Sequence, residues 1–182
     1  MPAPVVSWWN ADNTTQQTRW DIGTVDAGKI SAATTFLVWN NRSGASDVSD
    51  MQNATITTKA ADTTDTGELV LNRWIEVKVK SLGEGSVNKI GYNATATPPG
   101  PVTRRVATTS STTNADGTFT PGVAPHAVDP VVGTVDILGV KNSGDIASAK
   151  GNFVELVLQA NVPTNASAGK VDFLTRISYQ YV

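Results

Sequence analysis

Cysteine is absent from this chain of 182 residues, and histidine occurs once, as His126. These absences exclude a disulfide framework, a Cys/His zinc site and a pair of zinc-binding histidines. A Ser-His-Asp relay would have to use His126, which lies in the Pro-bounded stretch PHAVDP, and the sequence contains no Gly-x-Ser-x-Gly motif. We therefore predict a chain that is not an enzyme and that has no catalytic residues, no metal site and no cofactor.

Charge is also scarce. Only 16% of the residues are charged, and the net charge is −2. The 14 Lys and Arg residues are scattered, so no basic face predicts a nucleic-acid partner. No apolar run approaches the roughly 18 residues of a membrane span, and residues 1–9 do not resemble a signal peptide. We expect a protein that is made in the cytoplasm and has no membrane partner.

Alternating apolar and polar residues are the main structural signal. The period of two predicts strands at residues 68–80, 152–162 and 171–181, with further strands at 18–25, 33–40, 53–58, 87–92 and 134–140. Residues 36–39 are apolar on both faces, which predicts an interior strand. A hairpin-like connection is expected at 163–169. About eight strands separated by Gly, Asn, Asp and Ser predict an all-β fold, an antiparallel β-sandwich or jelly roll.

The parity within each strand predicts which side chains form the core. The expected core consists of Leu69, Leu71, Ile75, Val77, Val79, Val154, Leu156, Leu158, Val171, Phe173 and Ile177.

Two segments lack this alternation. Residues 1–17 predict an extended N-terminal arm, and residues 93–133, rich in Pro and Thr, predict a long loop with a short hairpin turning at 114–117. We therefore expect a single domain, residues 18–182, that the loop interrupts. Neither segment has enough apolar residues to offset the entropy of ordering alone, so both are expected to order on contact with other subunits.

Tryptophan is unusually frequent near the N-terminus. Trp20, together with Trp39 and Trp74, is expected to fill the core or shield its edge, whereas Trp8 and Trp9 follow two prolines in a poor core strand. Exposed tryptophans stack on sugar rings or anchor subunit interfaces. We favour the interface, and place Arg104, Arg105, Phe119 and His126 in it as well.

Carboxylates cluster at Asp62 and Asp65, where oxygen ligands for calcium could gather, although the EF-hand spacing is absent. Asp side chains also cap turns by accepting hydrogen bonds from nearby amides. Turn capping is the interpretation we favour for both residues.

Three short stretches carry a resemblance to known proteins. Residues 20–28 (WDIGTVDAG), 36–41 (FLVWNN) and 48–53 (VSDMQN) resemble small virion proteins of tailed bacteriophages. Residues 161–169 (NVPTNASAG) and 173–179 (FLTRISY) resemble the last strands of bacterial Ig-like domains. Together these stretches cover less than half of the chain.

The resemblance implies a structural protein of the virion, in its tail, baseplate, neck or capsid surface. The implied partners are other virion proteins and copies of the same chain. One alternative is a carbohydrate- or receptor-binding β-sandwich module that binds a host-surface glycan. A second alternative is a bacterial surface adhesin or a pilin-like subunit.

Overall fold

The computed structural model describes residues 1–108, 110–113, 119–121 and 136–182, with the backbone alone described for 110–113 and 119–121. Its strands are β1 (Val6–Asn10), β2 (Thr34–Asn40), β3 (Gln52–Ala60), β4 (Ile75–Val79), β5 (Asn88–Lys89), β6 (Gly91–Asn93), β7 (Gly100–Val102), β8 (Arg104–Arg105), β9 (Ser110–Thr113), β10 (Phe119–Pro121), β11 (Phe153–Ala160) and β12 (Phe173–Gln180). A four-residue helix, α1 (Glu68–Leu71), and a 3₁₀ turn (Lys80–Leu82) complete the elements of the described residues. The all-β class is confirmed.

The strands form antiparallel sheets. A five-stranded sheet has the order β1-β2-β11-β4-β5, and a three-stranded sheet has the order β12-β3-β8. Two smaller ladders pair β6 with β7 and β9 with β10. The strand β2 lies between β1 and β11, as its two apolar faces predict. The β9–β10 pair also agrees with the short hairpin expected there, although its turn lies outside the described residues.

Both larger sheets contribute to one hydrophobic core. Phe36 and Val38 of β2, Val77 of β4, Leu156 of β11 and Ile56 of β3 are all buried in the same cluster. A smaller cluster on the opposite face of β2 contains Leu37, Trp39 and Ala149. Burying this apolar surface is the main term that stabilises the fold.

Most of the expected core is confirmed. Leu69, Ile75, Val77, Val79, Val154, Leu156 and Leu158 are buried, and Phe173 and Ile177 are half-buried against them. The prediction of a core position is wrong for Leu71 and Val171, because their side chains are 41% and 43% exposed.

The strand expected at residues 68–80 is also wrong in its first half. The N–H of Asn72 donates to the carbonyl of Glu68, as in a helical turn, and Arg73 has a left-handed φ of 52°. Leu69 and its neighbour Val70 are therefore buried together, whereas Leu71 points outward. Leu69 and Leu71 share a parity by coincidence, and only Ile75–Val79 is extended.

Four other expectations are corrected. Residues 18–25 form no strand, and residues 87–92 divide into β5 and β6, while the described part of 134–140 contributes an isolated bridge between Ile137 and Met51. The connection at 163–169 is not a hairpin, because β11 and β12 belong to different sheets. The chain crosses from one sheet to the other there.

The two segments without alternation are also more ordered than expected. Residues 6–10 form β1 in the five-stranded sheet, which corrects the expectation that all of 1–17 lies outside the domain. The expected loop 93–133 contains the end of β6 and the strands β7 and β8. Val106 and Ala107, which follow β8, are buried. At the start of β6, Gly91 (φ 143°) is needed because a Cβ would lie 2.5 Å from the carbonyl oxygen of Val70.

Candidate functional site

The edges of the two larger sheets face one another on one side of the protein. β1 is the edge of the five-stranded sheet and β12 is the edge of the three-stranded sheet. Their inward side chains are only half-buried, whereas those of β4 and β11 are buried. The core is therefore incompletely covered along this side.

An open groove of about 1120 Å³ lies there, which we call the aromatic groove. Its walls are residues 17–27 and 166–172, which have no regular secondary structure, together with residues 173–175 at the start of β12. Trp8, Phe36 and Trp74 also line the groove. A second cavity of about 610 Å³ continues along the same edges, and the two share Trp8, Leu174 and Thr175 as lining residues.

A row of aromatic rings bridges the two sheets in the aromatic groove. Trp8 of β1 stands edge-on to Phe36 of β2, with ring centres 5.8 Å apart and planes at 75°. Trp20 stands edge-on to Phe36 at 6.0 Å and to Phe173 of β12 at 5.8 Å. The indole N–H of Trp20 donates to Thr34 Oγ1 over 3.1 Å, which fixes the ring. Edge-to-face pairs are a favoured aromatic geometry, so the row is held firmly.

The rim of the aromatic groove carries weak ion pairs. Arg19 pairs with Asp21 at 3.4 Å and Lys170 with Asp172 at 3.0 Å, all four side chains being largely exposed. Exposed pairs of this kind contribute little stability, so their charges remain free to meet a partner. Val171 and Leu174, which also line the groove, expose apolar side chains.

The two tryptophans expected at an interface have different surroundings. Trp8 belongs to the aromatic groove and packs on the main core. Trp9 packs on the smaller cluster, where the Arg42 guanidinium carbon lies 3.5 Å from its ring centre. Trp9 is therefore held by contacts within the chain, which argues against its expected interface role.

The expectation for the other tryptophans is confirmed. Trp39 and Trp74 are buried in the core, and Trp20 shields its edge at the aromatic groove.

The two arginines expected at the interface have ion-pair partners within the chain. Arg104 forms an ion pair with Glu84, whose side chain is 2% exposed, and Arg105 pairs with Asp136 at 3.3 Å. Both lie in β8, next to β3, and both side chains are mostly buried. Each arginine is therefore ion-paired within the chain. His126 lies outside the described residues, as does the side chain of Phe119.

The carboxylates considered for calcium have partners within the chain. Asp62 Oδ1 accepts hydrogen bonds from the Thr64 hydroxyl (2.6 Å) and the Thr64 N–H (3.0 Å), and these bonds hold the pKa of the Asp62 carboxyl below its usual value. Asp65 forms an ion pair with Lys59 at 2.6 Å. The geometry of Asp62 is that of a turn cap. Within the described ranges, no cluster of three or more His, Asp or Glu side chains is placed to bind a metal.

Sequence reasoning did not find the aromatic groove. The groove forms only because β1 pairs with β2 and because the chain crosses to the other sheet before β12. The alternation of apolar and polar residues indicates neither of these. The frequency of tryptophan before residue 21 was the one usable sign.

Comparisons with known proteins add no relative. No protein-family model, curated protein or solved structure matches this chain. No helix among the described residues has the length and apolarity that a membrane crossing requires.

Proposed function

We propose that this chain is a non-enzymatic structural subunit of a bacteriophage virion, placed in the tail, baseplate, neck or capsid surface. Its partners are other virion proteins and copies of itself. The observation that carries the proposal is the aromatic groove between the edges of β1 and β12, where the core of the single chain is left partly open.

The same proposal includes a β-sandwich architecture. Residues of the five-stranded and three-stranded sheets pack into one cluster, as the inner faces of a two-layer fold do. The aromatic groove then lies along the open side of the sandwich, between its two layers.

Assembly explains the chemistry of this open side. Half-buried Trp8, Trp20 and Phe173 combine with exposed Val171 and Leu174, while the rim is charged. Aromatic anchors inside a polar rim are typical of protein–protein interfaces. A neighbouring subunit that covers this side would complete the burial of the core.

The direct test is mass spectrometry of purified particles of the phage whose genome encodes the chain. We expect the chain in particles at a constant copy number, retained after washing in high salt. Its absence from particles that are otherwise complete would overturn the proposal. A non-structural protein of similar abundance in the lysate is the control for adventitious carry-over.

Saccharide binding is a second candidate, favoured by Trp8 and Trp20 in a groove that also exposes Asp21 and Asp26. Against it, Trp20 is nearly perpendicular to Phe36 and Phe173, so these rings form no coplanar platform. Tryptophan fluorescence titration with cell-wall oligosaccharides distinguishes the candidates. Saturable quenching that disappears in Trp20→Ala would favour the saccharide.

A further inference from the structure

The edge strand β12 differs from the other described sheet edges. The edge strands β5 and β8 contain two residues each. The strands β6 and β7, which pair with each other, contain three residues each. The edge of β1 is capped, because the N–H of Gln17 donates to the Trp8 carbonyl over 2.7 Å and Trp9 bridges to Gln16. In contrast, β12 extends over eight residues and, among the described residues, pairs with β3 alone.

The sequence of β12 does little to prevent further pairing. Edge strands usually carry Lys, Pro, a bulge or inward-pointing charge that discourages another chain. The residues FLTRISYQ contain neither Lys nor Pro, and Arg176 is their one charge. The irregularity in the pairing with β3 lies at the far end, between Ser178 and Gln180. Residues 173–177 therefore present a regular edge.

We propose that this edge pairs antiparallel with the same edge of a second copy, with a two-fold axis at Leu174. The numbers of any two residues that face each other across this axis then add to 348. Leu174, 41% exposed, faces Leu174 of the second copy. Arg176 faces Asp172 of the second copy, and the symmetry repeats this contact. Asp172 directly precedes β12 in the single chain, so the pairing lengthens the strand at that end.

Charge complementarity selects the register. Because side chains alternate between faces, opposite residues must have the same parity, which excludes half of all registers. An axis at Arg176 would place the two Arg176 side chains against each other, and an axis at Thr175 or Ile177 would pair Arg176 with no carboxylate. Opposite charges across strands stabilise a pair, whereas like charges destabilise it.

The inward face also matches in this register. Val171, exposed in the single chain, lies opposite half-buried Ile177 of the second copy, and Phe173 lies opposite Thr175. Phe173 and Ile177 are on the face of β12 that packs on the core, and Phe173 and Thr175 line the aromatic groove together with Val171, which lies two residues before β12. The second copy would therefore cover part of that groove.

The inference rests on the proposed assembly function, since it names the occupant of the same site. The two can nevertheless fail separately, because pairing of β12 is measured on the isolated chain and incorporation is measured on particles.

The test uses the absence of cysteine from the chain. In Leu174→Cys, the two Cα atoms would lie about 4.5–5.5 Å apart across the axis, within the range of a disulfide. In the control Ser178→Cys, also exposed on β12, the two Cα atoms would lie about 26 Å apart at roughly 3.3 Å per residue. We expect disulfide-linked dimers of Leu174→Cys under mild oxidation and essentially none of Ser178→Cys. Equal crosslinking of the two variants, or none of either, would overturn the proposal.

Sedimentation equilibrium of the full cysteine-free chain tests the charges. Arg176→Asp and Asp172→Arg should each weaken dimerisation at least about tenfold, and the double exchange should restore it. Lys141→Asp, an exposed charge change on another loop, is the matched control and should leave the dimer unchanged. A chain that stays monomeric at all concentrations, or a double exchange that does not recover, contradicts the register. Unchanged melting temperatures ensure that the variants are folded.

Discussion

The guanidinium carbon of Arg42 lies 3.5 Å from the centre of the Trp9 ring. The same side chain donates from Nε to Asn13 Oδ1 and from a terminal nitrogen to the Asn13 carbonyl, both over 3.0 Å. Asn13 in turn donates to the Gly144 carbonyl over 2.7 Å. Arg42, which follows β2, therefore contacts both Trp9 of β1 and the turn after β1, and holds that turn in place.

Arg42→Lys should destabilise the domain by about 1–2 kcal/mol, because lysine has no planar fork to bond Asn13 while it covers Trp9. Urea unfolding followed by fluorescence measures the change. Arg19→Lys, in an exposed pair with Asp21, is the control and should stay within about 0.5 kcal/mol. Equal stability of the two variants would mean that the contacts of Arg42 contribute nothing.

Val77→Asp should unfold the domain, since it places an unpaired charge in the core at a cost of several kcal/mol. Leu71→Asp is the matched change. The sequence placed Leu71 in the same core, but its exposed side chain predicts a loss below about 1 kcal/mol. Thermal melts by circular dichroism distinguish the two, and a native-like Val77→Asp protein would contradict the position of β4.

Arg104→Ala should cost about 3 kcal/mol, because it leaves the buried Glu84 carboxylate without its cation. Glu84 would keep two donors, the Val79 N–H at 2.8 Å and the Asn88 amide at 3.3 Å. The comparison is Lys80→Ala, which breaks the more exposed pair with Glu155 and should cost less than about 1 kcal/mol. Chemical denaturation of both variants measures the difference, and similar losses would contradict the burial of the Glu84–Arg104 pair.

Trypsin should spare the bonds after Arg104 and Arg105 in the native protein, although the sequence places both residues in an expected long loop. Both residues are paired with β3, and cleavage requires an extended, accessible backbone. Arg19 and Lys170 lie in segments without regular structure and are exposed, so both should be cut before Arg104 and Arg105. Mass spectrometry of a digestion time course identifies the order of the cuts, and early cleavage at Arg104 would show that β8 opens readily.

Thr64→Val should raise the pKa of Asp62 toward its ordinary value, because the hydroxyl bond is the largest cause of its lowering. A carboxyl whose folded pKa is lowered contributes stability above the unfolded pKa, near 4, and loses it as the pH falls through the folded value. NMR titration of the carboxyl carbons measures the shift. Asp145, lowered mainly by the Ala147 N–H, is an internal control that should not change.

Periodicity predicted the long strands well because their alternation reflects burial of one face. β2, β11 and β12 lie where the pattern placed them, and Val154, Leu156 and Leu158 are buried. The same rule failed at residues 68–71, where two leucines two positions apart also suit a turn of helix. It failed again at β1, since Pro2, Pro4 and the polar residues after Asn10 concealed a five-residue strand.

The sequence by itself determined the all-β class, the long strands and most of the core, because each depends on the local alternation of apolar and polar residues. Only the tertiary structure decided which strand joins which sheet and where the edges β1 and β12 lie. Arg104 shows the difference: its charge is visible in the sequence, but its partner Glu84 is twenty residues away. Pairing and burial depend on contacts between distant residues, and those contacts place Trp8, Trp20 and Phe173 in one groove.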